Sequence, residues 1–293
     1  MENLEALMGG LFNVALMLMI VATMFAAGLS TTLSALGKVF RNVWLLVLVL
    51  LAGLVVRPLV GWGAAELFSL EPPAYIALLL LAACAGAPFG ANMVMNARGN
   101  VVIGASLQVV LAIVGGFTFP IVANFMITTT GLGEDFSLPV ADLIKTVLYL
   151  QLVPFVLGIV VRHWTPEMAA QWKPPTAQVA KYSLMMVTVL GLLGTWRTML
   201  ESLGTFVMLA GATFVVVMLI VGWYMAVGDR STRKATSLIE PASNAGPVFA
   251  AVAIGFNNDP QILAAVIMIF VVQIFGSVFT AAYLGKGQSA PEE

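Results

Sequence analysis

Nine long apolar runs alternate with short polar connections along this chain. They cover residues 11–29, 43–64, 75–95, 101–127, 138–161, 178–196, 203–227, 236–256 and 261–284. An α-helix needs about 20 mostly apolar residues to cross a hydrocarbon layer about 30 Å thick, and each run approaches or exceeds that length. Most are apolar on every face, so lipid is the expected solvent of their outer surfaces. The pattern predicts an all-α membrane protein with nine transmembrane helices in a single transmembrane domain, 1–293. Glu71-Pro72-Pro73, Lys173-Pro174-Pro175 and Asn257-Asn258-Asp259-Pro260 read as turns between runs.

Two of the nine runs carry interruptions. Run 3 has glycine and proline at 86–90, and run 8 has them at 241–247, where missing donors and small residues favour unwinding. Shifting the chain by 160 residues lays Ala85-Gly86-Ala87-Pro88-Phe89-Gly90-Ala91 over Ala245-Gly246-Pro247-Val248-Phe249-Ala250-Ala251, with four of seven positions identical. With nine spans the two stretches run in opposite directions. Spans 1–4 and 6–9 therefore read as an inverted repeat, with a weaker echo at Leu36-Gly37 and Leu203-Gly204. Matched interruptions in inverted halves point to a transporter's binding site, because unwound backbone in a bilayer is tolerated only around a protein-lined cavity.

Composition agrees with the pattern. The chain is 60% hydrophobic and 9% charged with mean hydropathy +1.01, too little charge to cover a soluble globule. A net charge of −1 gives no basic footprint for nucleic acid. Cys84 is the lone cysteine, which excludes an intrachain disulfide and a cysteine-based metal cluster. With no H-E-x-x-H, no G-x-S-x-G and one histidine, an intramembrane enzyme is not expected.

Position gives the charges their meaning. Lys38, Arg41, Arg98, Arg162, Lys173, Lys181, Arg230, Arg233, Lys234 and Lys286 fall on one side of the nine spans. Arg197 falls on the other, with Glu2, Glu5, Glu66, Glu71, Glu134, Asp135, Glu201 and Asp259. The positive-inside rule then puts the N-terminus outside and the C-terminus in the cytoplasm, in a plasma membrane of the bacterial inner-membrane type. The acidic start lacks a signal peptide's basic region, so the first run is expected to persist in the mature protein. Lys145 and His163 read as interface residues.

Polar residues within the runs collect at the interruptions. Glu240, Ser243 and Asn244 sit at the second, Asn92 and Asn96 follow the first, and Ser106 and Gln108 lie in run 4. A carboxylate in a membrane needs a cation, a proton or a donor, which makes Glu240 the leading candidate. Carboxylate, amide and hydroxyl oxygens suit Na+, so Glu240, Asn244 and Asn92 are candidate ligands, and the same carboxylate suits a coupled proton. Arg57, before Pro58 in run 2, has three readings: it pairs with Glu240, holds a substrate carboxylate or sulfate, or snorkels to an interface.

Several of these stretches resemble the bile acid:sodium symporter family. They are Phe25-Ala26-Ala27-Gly28-Leu29-Ser30, Arg57-Pro58-Leu59-Val60-Gly61, Cys84-Ala85-Gly86-Ala87-Pro88, Ala97-Arg98-Gly99-Asn100 and Arg233-Lys234-Ala235-Thr236-Ser237-Leu238-Ile239-Glu240 with Asn244. The likeness covers nearly the whole chain and matches members with nine spans, which lack the first helix of ten-span members. It implies two crossing helices in a core, here about 75–127 and 236–284, and a panel that rocks against it, about 11–64 and 138–196, extended to 227 by the repeat. It also implies Na+-coupled symport of a small organic anion. In the resemblance Glu240 matches the sodium-ligand glutamate and Asn244 stands at a glutamine position. Gly53 replaces another glutamine, Gly90, Ala91 and Asn92 stand for a serine–asparagine pair, and Gln108 replaces a threonine. A proton-coupled or Na+-independent anion exporter of the same superfamily is the alternative. From another class, the alternative is a membrane sensor or scaffold domain.

Overall fold

A computed structural model describes residues 2–87, 89–132 and 138–286, with the backbone alone at 2–6. Pro88 of the first interruption, the outer-side acids Glu134 and Asp135, and the side chains of Glu2 and Glu5 lie outside the described residues. The described chain is all-helical and has no sheet. Its twelve helices are α1 (Glu2–Ser30), α2 (Leu33–Arg41), α3 (Val43–Leu67), α4 (Pro72–Ala83), α5 (Gly90–Asn96) and α6 (Val101–Thr129). They continue as α7 (Val140–Trp164), α8 (Pro166–Glu201), α9 (Val207–Tyr224), α10 (Arg230–Ile239), α11 (Ala245–Gly255) and α12 (Pro260–Gly285).

Seven of these, α1, α3, α6, α7, α8, α9 and α12, are long and apolar enough to cross a bilayer. Apolar runs 3 and 8 are not continuous helices. Each splits into two short ones, α4 and α5 in the first case and α10 and α11 in the second. The first split follows from Gly86, whose φ of 89° is left-handed and whose Cα faces α6 so closely that a Cβ would lie 2.3 Å from the Ala112 nitrogen. In the second, α10 ends at Ile239, and Pro241 has no N–H to continue the ladder. Pro247, which the sequence suggests as part of this interruption, instead lies in the first turn of α11, where a missing donor costs nothing.

Two further prolines are absorbed without a break. In α3 the segment Ala52–Val56 is a π-turn just before Arg57-Pro58, and in α7 Leu148–Leu152 is a π-turn just before Val153-Pro154. Pro58 cannot donate to the fourth residue before it. The ladder widens instead, and the Arg57 N–H reaches the Ala52 carbonyl five residues back, as Val153 reaches Leu148.

The expected turn at Lys173-Pro174-Pro175 is not one. Both prolines sit inside the 36-residue α8. The residues around them, 170–175, are exposed, so the carbonyls they leave without donors face outward rather than into the bundle. The other two expected turns hold. Pro72 and Pro260 are the first residues of α4 and α12, and Asn257 and Asn258 have left-handed φ of 49° and 56°.

The helices group by packing. α1 packs chiefly along α8 and α7, while α3 packs along α4 and α9, and α9 along α12 and α10. The α1–α7 crossing is backbone on backbone. A Cβ on Gly28 would fall 2.2 Å from the Phe155 carbonyl oxygen, and one on Gly158 would fall 2.5 Å from that of Phe25. The main core joins α4, α9, α11 and α12, with Ile76–Leu81 and Val266–Ile269 almost fully buried.

Candidate functional site at the crossing of two interrupted helices

The two interruptions meet. Ala85 and Ser243 form an isolated antiparallel bridge, the Asn244 N–H donates to the Cys84 carbonyl at 3.1 Å, and the Cys84 thiol donates to the Asn244 carbonyl at 3.4 Å. Backbone groups released by unwinding are thus partnered across the crossing, as a hydrocarbon surrounding demands. The Ser243 hydroxyl donates to the Leu81 carbonyl at 2.9 Å, which ties the second interruption to the end of α4. Asn244 caps α11, its Oδ1 accepting from the Gly246 N–H at 3.3 Å.

Arg57 reaches this crossing from α3. It is fully buried, so it does not snorkel. Its Nη2 donates to the Ser243 hydroxyl at 2.6 Å, its guanidinium carbon lies 5.4 Å from the centre of the Phe214 ring, and its Nε and Nη1 have no acceptor. Glu240 is 1% exposed, and neither of its carboxylate oxygens accepts a hydrogen bond. Arg57 and Glu240 make no direct ion pair. Gly53, one turn before Arg57 on α3, stands beside Glu240, since a Cβ there would lie 3.3 Å from Oε2.

α6 and α7 complete the surroundings. Gln108 of α6 turns its Oε1 onto the Ala91 N–H at 2.7 Å, at the start of α5. Gln151, in the π-turn of α7, accepts from Asn244 Nδ2 at 3.3 Å. Sequence reasoning passed over Gln151. Its one signal is a lone amide in an apolar run three residues before a proline. Cys84 carries no site role in the sequence reading, although the 160-residue shift places it opposite Asn244.

Of the residues singled out from sequence, the crossing gathers Arg57, Glu240, Ser243 and Asn244, with Gln108 at its edge. Asn92 and Asn96 are not brought in: one turn apart, they share the exposed face of α5. Ser106 is buried, but two residues from Gln108 it points about 200° away around α6. Lys145 is exposed and pairs with Asp142 at 3.0 Å, consistent with an interface position. His163 is exposed, beside Trp164.

Next to the crossing, a cavity opens between α1, α6 and α7. Met24, Val109, Phe117 and Phe155 give it an apolar lining, and Gln108 and Gln151 supply its polar groups. A second hollow begins one helical turn further along, where Thr31 succeeds Ala27 and Ile159 succeeds Phe155. Thr32, Ser34, Arg162 and His163 line it too. The first cavity is narrow, about 20 Å³, so in this conformation it admits a water-sized group, with the two amides as its polar contacts.

Residues 16–219 match the model of the family described as the Sodium Bile acid symporter family. The chain belongs to that family. Sodium bile acid symporter family membership makes it a multi-pass membrane protein and a secondary transporter, not an enzyme. The matched stretch contains Arg57, the first interruption, Gln108 and Gln151, and it ends before Glu240. Among curated proteins, none matches the chain.

Proposed function

We propose that the chain carries a small organic anion across the membrane by alternating access, with substrate admitted beside the crossing when the narrow cavity there widens. The observation that carries this reading is the meeting of two interrupted helices around buried Arg57, Ser243, Glu240 and Asn244. A sensor or scaffold has no use for so costly a cluster in a bilayer, whereas a transporter's ligands sit at such breaks. The anion preference rests on the guanidinium at the crossing and on Arg162 in the neighbouring hollow.

Counting α4–α5 and α10–α11 as interrupted spans gives nine spans, with the N-terminus outside. The inverted repeat is supported by Cys84 and Asn244, which are 160 residues apart and contact one another. Corresponding residues of two related copies meet where a two-fold axis passes between them. The packing groups α1 with α7 and α8, and this group meets the rest where α8 lies along α12, with α3 in the second group rather than in the panel-like group that sequence order suggests.

Reconstituted protein should accumulate at least one of a set of radiolabelled probes: a steroid carboxylate, an aromatic carboxylate and an alkyl sulfonate. Glu240→Gln should cut that flux on the order of tenfold while the protein stays folded, since a carboxylate at this depth is retained for function. A Glu240→Gln protein with wild-type flux would take Glu240 out of the transport site.

A further inference from the structure

Three charged side chains are buried among the described residues: Arg57, Lys234 and Glu240. Lys234 lies away from the crossing, donating to the Ala97 carbonyl at 2.9 Å and the Leu284 carbonyl at 2.7 Å. At the crossing the charges are therefore one guanidinium and one carboxylate. α3 presents Gly53 to Glu240 and, four residues on, Arg57 to Ser243. Glu240 and Ser243 lie three residues apart in one interruption.

A bound Na+ would need several oxygen ligands, and the side-chain oxygens at the crossing other than those of Glu240 each already accept a hydrogen bond. Ser243 Oγ accepts from Arg57, and Asn244 Oδ1 accepts from the Gly246 N–H. Gln108 Oε1 holds the Ala91 N–H, while Asn92 and Asn96 lie on an exposed face. Glu240 alone has free carboxylate oxygens, and one carboxylate is not a cation cage. Na+ beside Glu240 would also set a second positive charge near the guanidinium in a low-dielectric interior, where like charges repel strongly. With the guanidinium in place, this side-chain set does not fit the cation that the family's description implies.

We infer that Arg57 is a tethered cation standing where a mobile one would bind, so that this carrier cycles without Na+ at the crossing. The inference rests on the transporter reading above, whose failure shows differently: no flux of any probe anion sinks that reading. Flux that vanishes when Na+ is replaced by K+ keeps the reading and overturns the inference.

The direct test uses Na+ alone as the probe. Thermal unfolding of the purified wild type should be the same in NaCl and KCl of equal concentration. Arg57→Gln, which leaves Glu240 without its counter-charge, should lose stability and gain a Na+-specific rise in Tm of about 3 °C. Arg57→Gln/Glu240→Gln should recover most of the lost stability and show no Na+ response. Na+-specific stabilisation of the wild type, or an Arg57→Gln protein that gains none, overturns the inference. If Arg57→Gln does not fold, the double variant decides: recovery of the fold supports mutual compensation of the two buried charges, and failure overturns the inference.

Discussion

Ser243 holds two strangers together. Its hydroxyl accepts from Arg57 and donates to the Leu81 carbonyl, so a single side chain partners both a buried charge and a backbone group freed by unwinding. Ser243→Ala removes the one hydrogen-bond acceptor of a buried guanidinium. The expected loss is about 2–3 kcal/mol of stability, measurable as a lowered unfolding midpoint in detergent. At this scale the sequence was informative wherever a polar residue is rare for its surroundings. Glu240 and Arg57 could be found because nothing else in their runs is charged. Asn92 and Asn96 show the limit of such reasoning. Closeness to a break along the chain does not fix which face of α5 a side chain occupies, and the helix turned both outward.

Helix α3 shows how a proline can aim a neighbour. Without an N–H at Pro58, the ladder takes a π-turn over Ala52–Val56, and the extra residue in that turn sets the rotation at which Arg57 meets Ser243. Pro58→Ala restores the donor and removes the reason for the widened turn. α3 is then expected to close into a regular helix and carry Arg57 off the crossing. Anion flux should fall on the order of tenfold or more, with thermal stability held or raised, a split read from transport and unfolding on one preparation. The proline and the arginine were visible in the sequence. The π-turn was not, because a proline in an apolar run is equally compatible with a kink, a break or a widened turn. Lys173-Pro174-Pro175 makes the converse point. Two adjacent prolines spell a turn by local rules, yet α8 runs through them because the residues around them are exposed.

The whole molecule was the most legible level. Hydrophobic run length located every long helix, and the glycine–proline stretches located both interruptions, because membrane insertion imposes its lengths directly on the sequence. Packing between helices was less accessible. The panel-like group drawn in sequence order includes α3 and, by the repeat, α9; α3 packs along α9 but also along α4, and apolar side chains in lipid carry no mark of the partner they face. The proposed orientation is open to a direct check. In a Cys84→Ala background, a cysteine replacing Glu71 should react with a membrane-impermeant maleimide from outside intact cells. One replacing Lys173 should react only after the membrane is opened, and the reverse pattern would invert the topology.

The contact between Gly28 and Gly158 has a mechanical meaning. Two helices that touch through side chains can slide by exchanging rotamers, but two that touch through bare backbone have no slack to exchange. α1 and α7 therefore behave as a welded joint, and α8 lies along both. A stiff plate of three helices does not flex to admit a molecule. On the proposed alternating-access reading it yields along its edge, and the narrow cavity beside Gln108 of α6 lies on that edge.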